Sequence, residues 1–251
     1  MPFKTLFLDS AQADIKDLTN GRCTWQFTNP LQYSNAEIGL FEFSFTNFFI
    51  NISAALGNNH FYFSDDALDE TKHDITIPDG SYSIGALNDF LLAEQQSLVG
   101  QQIFALVANY STAKAGIQFG NVVGWYVHFG AASPYTLLGF TNGQEVPVGK
   151  ACTAYYIEYA GAVAAFNNLT ALKVAIDLTN DSIANGNSSS IVYQTSPTVE
   201  PGSTQSDHPA NILWCALTVP TFSQVTIRIL DQNEAAVNMN EDFSCTLCIK
   251  Y

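Results

Sequence analysis

The sequence predicts an all-β fold: a single jelly-roll β-sandwich with one short amphipathic helix at about 83–95 and a one-to-two-turn helix near 134–138. Three observations predict it. Roughly ten to twelve short runs alternate apolar with polar residues, and turn signals separate them about every 8–15 residues. Aromatic residues make up 13% of the chain, with 18 Phe and 11 Tyr, the rings that favour a pleated, half-buried surface. The regularly alternating helices that a parallel α/β sheet needs are missing. At 251 residues and 47% hydrophobic the chain can fill one sizeable sandwich core. It shows no internal repeat and no Pro/Gly/Ser linker between two halves, so residues 1–251 are expected to form one domain.

In order, Phe3 to Leu8 alternates and reads as a short strand or as part of an extended N-terminal arm over residues 1–21. Asp9 to Gly21 is polar and reads as a loop with room for a helical turn. Arg22 to Thr28 is a strand with Cys23, Trp25 and Phe27 on one face, ended by Asn29-Pro30. Ala36 to Phe45 is a strand carrying Ile38 and Leu40, and NFFINI closes this region. Asn58-Asn59 is a turn before the strand HFYFS. The stretch Asp74 to Ala93 then changes period. Ile75 and Ile77 alternate, Pro78-Asp79-Gly80 breaks the strand, and Ile84, Leu87, Phe90 and Leu91 share a helical face.

Beyond the helix, Gln102 to Asn109 and Ile117 to Val123 read as a hairpin, and Gly124 to Phe129 as a strand. In SPYTLLGF, Pro134 suits a first helical turn and Gly139 its end. Thr141 to Lys150 is a loop, and Ala151 to Ala165 is partly strand. Leu169 to Leu178 is a strand, 181–190 is polar and flexible, and Ile191 to Gln194 is a short strand. The segment 196–210 is the longest loop. Ile212 to Val219, Gln224 to Leu230 and Phe243 to Ile249 close the sheet pattern.

Charge narrows the function classes. Nine Lys and Arg stand against 23 Asp and Glu, a net charge of −14. A phosphate backbone recruits clustered cations, so direct nucleic-acid packaging is not expected, nor is a basic membrane-binding face. No run approaches the ~20 apolar residues of a membrane span. The N-terminal MPFKTLFLDSAQADIKD lacks the apolar core of a signal peptide. Charged residues are only 13% of the chain against roughly 25% in an ordinary domain, which leaves a polar, weakly charged surface suited to contact with other subunits.

Motifs for chemistry are few. Cys23, Cys152, Cys215, Cys245 and Cys248 are an odd set. The C-x-x-C of Cys245 and Cys248 lies in an alternating strand, where residues three apart face opposite sides, so free thiols are favoured over zinc. His60, His73, His128 and His208 are scattered. His73-Asp74 and Asp207-His208 read as solvated polar pairs and not as dyads. Asp65-Asp66, Asp69-Glu70 and Glu241-Asp242 fall at turns. Trp25, Trp125 and Trp214 sit in strand patterns, where core packing is the default. Asn51, Asn109, Asn168, Asn180 and Asn187 head N-x-S/T sequons, a frequent chance match in an Asn- and Ser-rich chain. No catalytic, cofactor-binding or metal-ligating residue is named, no cofactor is expected, and an enzyme is not expected.

One resemblance adds to this. IPDGSYSIGALNDFL at Ile77 to Leu91 resembles a segment of penton-type minor capsid proteins of Polinton-like viruses, adintoviruses and virophages. Further similar segments follow the same order: LFLDS at Leu6, Trp25, IGLFEFSFTNFFINI from Ile38, SPYTLLGF from Ser133, LKVAIDL from Leu172, and VTIRILDQNEAAVNMNEDFSCTLCI from Val225. Residues 142–170 match less well and read as an insertion or variable loop. The resemblance implies a single jelly roll, five copies of which plug an icosahedral vertex of the virion and contact a double jelly-roll major capsid protein, with no chemistry. The alternative is a receptor- or glycan-binding β-sandwich such as a trimeric spike head.

Overall fold

The computed structural model describes residues 2–65, 72–166, 169–184 and 186–251. The acid pairs Asp65-Asp66 and Asp69-Glu70 fall partly or wholly outside the described residues, as does the sequon at Asn168. The first strands are β1 (Phe3–Asp9), β2 (Ile15–Asp17), β3 (Arg22–Gln32), β4 (Glu37–Thr46), β5 (His60–Ser64) and β6 (His73–Thr76), followed by the helix α1 (Ile84–Val99). Next come β7 (Phe104–Asn109), β8 (Lys114–Phe119), β9 (Tyr126–Phe129), the short helix α2 (Tyr135–Leu138), β10 (Gln144–Val146) and β11 (Ile157–Tyr159). The chain closes with β12 (Leu172–Ile176), β13 (Ser182–Ala184), β14 (Asn187–Ser189), β15 (Ile191–Thr195), β16 (Thr204–Asp207), β17 (Cys215–Ala216), β18 (Thr221–Leu230) and β19 (Phe243–Lys250). The protein is all-β with antiparallel pairing throughout.

Where one domain is expected from the sequence, the chain divides into two compact units. Met1–Phe49 with Leu169–Tyr251 forms the first, and Ile50–Asn168 forms the second. Residues 142–168 of the expected insertion or variable loop fall within the second unit. That unit escapes a search for linkers because strand patterning continues on both sides of each boundary.

The first unit is the jelly roll. One sheet runs β1-β19-β4-β16, with β17 also on β4, and the other runs β15-β12-β18-β3-β2. The pairs β1:β19, β3:β18, β4:β16 and β12:β15 nest inside one another, first strand with last and so inward. A long hairpin rolled up on itself has this order, and it places successive strands in opposite sheets. The second unit enters between β4 and β12, on one limb of that hairpin. The inner faces share a core of Leu6, Trp25, Ile38, Phe43, Val174, Ile227, Leu247 and their neighbours.

Residues 3–9, read as strand or arm, pair with β19 over their whole length. Strand β3 does not stop at Asn29-Pro30. Between the pairs Gln26–Gln224 and Leu31–Phe222 the two strands lose register, so Pro30 has no ladder bond to forfeit. Strand β4 carries a bulge as well. Leu40 faces Leu247 and Glu42 faces Thr246, leaving Phe41 as the extra residue. The bulge explains why its core residues are Ile38 and Leu40 on one side and Phe43 and Phe45 on the other. The long loop 196–210 contains β16, and the polar segment 181–190 contains the β13–β14 hairpin.

The second unit has a four-stranded sheet, β10-β9-β5-β6, and a three-stranded sheet, β11-β8-β7, around a core that includes Phe61, Phe63, Leu87, Leu91, Phe104, Ile117 and Phe129. The helix expected at 83–95 runs from Ile84 to Val99. Ser83 caps it through Oγ to the Ala86 N–H, and Gly100 ends it in the left-handed region. Its role is to close the β7 edge. Gln95 is fully buried, its Oε1 accepts from the N–H groups of Ile103 and Phe104, and its Nε2 donates to the carbonyls of Leu91 and Phe104. Asn88 Oδ1 accepts from the Leu106 N–H. Two amides thus stand in for a missing fourth strand. Helix α2 falls where SPYTLLGF places it. Gly139 ends it at φ +81°, and an added Cβ there would lie 2.4 Å from the Ala162 carbonyl oxygen.

Candidate assembly surfaces

The titratable residues that the sequence leaves scattered acquire local partners. His60 Nδ1 lies 2.8 Å from Asp74 Oδ1, a cross-strand pair on β5 and β6, so Asp74 meets His60 and not its chain neighbour His73. His73 stacks on Phe63 with ring centroids 4.9 Å apart. His208 lies 3.7 Å from Glu42 and against the Phe41 ring. His128 Nε2 is 2.7 Å from Ser64 Oγ, and its Nδ1 is 3.6 Å from Glu145. This brings a serine, a histidine and a carboxylate together across three strands, an order that sequence spacing could not reveal because strand register makes it. Ser64 is fully buried and His128 nearly so, and a nucleophile needs an approach for its substrate.

All five cysteines are free. Cys245 faces the core and Cys248 the other side of β19. Burial pushes the Cys245 thiol well up, and burial also raises Cys23, Cys152 and Cys215. Among the described residues no three His, Cys, Asp or Glu converge as a metal-ligand set. Asn51 is buried, and its side-chain amide bonds Tyr82 and Phe166, so this sequon is occupied by the fold. Trp25 donates from Nε1 to the Asp9 carbonyl, and Trp125 packs on Phe63. Trp214 departs from the core-packing expectation. It lies outside the strands, 5.8 Å from the Phe3 ring, with Lys250 Nζ over its face.

What remains after these pairings is surface. On the jelly roll, β1 is the open edge of the first sheet. The outer face of that sheet carries Phe3, Thr5 and Phe7 from β1, Thr246, Cys248 and Lys250 from β19, and Glu37, Gly39 and Phe41 from β4. Lys250 and Glu37 pair with each other. Segment 212–214 lies on this face over Gly39, where any Cβ would sit 2.3 Å from Ile212 Cγ2. The rings beyond that cover stay in water: Phe7 is 81% exposed, Phe3 59% and Phe41 48%. Three exposed phenylalanines beside an unpaired strand edge are the features by which proteins recruit a partner.

The second unit has a smaller face of the same kind. Ala115, Ile117 and Phe119 of β8 point into the core, so Lys114, Gly116 and Gln118 point out. Tyr159 of β11 lies over Gly116, where a Cβ would meet its ring at 2.7 Å, and Ile157 is its neighbour on the same face. Val107 and Ala105 of β7 continue that face. It contains no Asp or Glu, in a chain with 23 of them.

No protein-family model matches the chain, and no curated protein matches it. Among solved structures it is similar over its full length to the mavirus penton protein, at 11% identity and a TM-score of 0.47, covering 99% of that chain. That likeness is too distant to carry an argument by itself. No described helix is long and apolar enough to cross a membrane.

Proposed function

We propose that the chain is a structural virion subunit of the penton type, five copies of which close an icosahedral vertex and contact a double jelly-roll major capsid protein. The observation that carries the proposal is the exposed Phe3, Phe7 and Phe41 face beside the open β1 edge. A subunit that worked alone would leave three aromatic rings in water on one sheet. The ordered segments from LFLDS to SCTLCI support the penton type, and they fall on β1, β3, β4, α1, α2, β12, β18 and β19, the framework of both units. Low charge and thiols held without disulfides fit a protein assembled inside a cell and buried against its neighbours.

Native mass spectrometry of the purified chain, with and without the major capsid protein of the same virus, tests this. The proposal predicts a particle of five 27.3 kDa subunits that binds capsid shells. A strict monomer that never binds those shells overturns it, and a trimer points to the spike-head alternative. Phe7→Asp is expected to weaken the binding while leaving the circular dichroism spectrum unchanged.

A further inference from the structure

The second unit has two unlike sides. Its three-stranded sheet ends at β11 on one side, and on the other α1 covers β7. On the β11 side lie Ile157 (40% exposed) and Tyr159 (44% exposed) on a face free of carboxylates. Of the three lysines of this unit, Lys114 points out on that face, and Lys150 lies at the same β11 edge but on the other face, over Tyr156. Lys150 sits over the Tyr156 ring at 4.7 Å, and neither lysine has a carboxylate within salt-bridge distance among the described residues. The carboxylate of β11, Glu158, is held on the opposite face by Tyr156 Oη–H and the Val148 N–H.

Helix α1 is the complement. It contains no Lys or Arg. Its solvent face presents Ala86, Asp89, Ala93, Gln96 and Ser97, with Glu94 on the flank, and Asp89 and Glu94 have no cation within reach among the described residues. Unpaired cations and exposed apolar side chains thus occupy one side of the sheet, and unpaired anions with small side chains the other.

We infer that in the assembled ring the β11 side of one copy docks against α1 of the next. This rests on the proposal that copies form a closed ring. A cyclic interface joins two different patches of the same surface head to tail, whereas a two-fold interface sets like against like. Here a two-fold contact would oppose lysine to lysine or carboxylate to carboxylate. The head-to-tail contact sets Lys114 and Lys150 against Asp89 and Glu94 and takes Ile157 and Tyr159 out of water on the small-residue stripe of α1.

Charge reversal tests it. Lys114→Glu with Lys150→Glu, and separately Asp89→Lys with Glu94→Lys, are expected to weaken ring association by about tenfold or more, read by sedimentation velocity across concentrations. All four together are expected to return association to near that of the unmodified protein, because the pairs are re-formed with opposite sign. Ile157→Glu, which needs no charge partner, is expected to dissociate the ring as well, and circular dichroism confirms the fold of each variant. A pentamer indifferent to every variant, or one not restored by the fourfold exchange, overturns this interface and leaves the pentamer proposal standing. A cyclic trimer that responds as described upholds the interface and overturns the pentamer. A monomeric parent protein overturns both.

Discussion

Asp242 accepts from two donors at once: Lys16 Nζ at 2.6 Å and Ser10 Oγ at 2.6 Å, while Ser10 Oγ in turn accepts from the Phe243 N–H. The bond from Lys16 and then that from Ser10 hold its carboxyl below the ordinary range. A carboxylate whose folded pKa is lowered adds stability above its unfolded value of about 3.9, and loses it as pH falls through the folded value. Asp242→Asn should therefore destabilise the protein at pH 7, and the difference should vanish as pH falls through the lowered folded value. The pair is well exposed and screened, so the difference should stay small, read as a shift in urea midpoint. The cysteines give a second residue-scale outcome. Four thiols are buried with raised pKa, and Cys248 alone is half-buried on the outer face of β19. The thiolate is the reactive form, so a maleimide at neutral pH should label Cys248 and leave the other four intact until urea is added, as peptide mass mapping would show.

At the scale of elements, α1 was the most legible part of the chain. Its core-facing residues Leu87 and Leu91 follow from period alone, whereas its last turn, to Val99 before the Gly100 cap, runs past the end expected at about 95. Leu87→Asp places a charge in the core of the second unit and should prevent folding, seen as insoluble expression or a lost melting transition. What period could not show is Gln95. A polar residue on the apolar face looks like a break in the pattern, yet three of its four hydrogen bonds satisfy Ile103 and Phe104 at the β7 edge, the fourth going to the Leu91 carbonyl of its own helix. Gln95→Leu fits the volume and strands those backbone groups, so a loss of about 2–4 kcal/mol is expected in chemical unfolding. Strand β16 was illegible for a related reason. Thr204 to Asp207 has no apolar residue, and its buried member, Gln205, is satisfied by Thr198, Ser196 and Asp207. The bulges in β3 and β4 are of the same kind, because only the partner strand shows where an extra residue is absorbed.

At the scale of the molecule, the all-β class and the strands β3, β18 and β19 were readable from alternation, while their nested pairing emerges only in the structure. The second unit was not, because nothing in composition separates 50–168 from its surroundings. The assembly surfaces were hidden for a physical reason. Alternation puts Phe3, Phe7 and Phe41 within strand patterns, and only the edge placement of β1 and the bulge in β4 show that their rings face water. The charge distribution follows the same logic. A chain of net charge −14 can associate with itself only through surfaces that keep its acids apart, and the two apolar faces meet that demand. A five-fold vertex is the assembly proposed for this subunit. A low-resolution electron micrograph of the purified assembly, classified without imposed symmetry, is the decisive measurement. Rings of five subunits that match the density at the particle vertices are expected, and rings of three, or single subunits alone, would contradict a five-fold vertex.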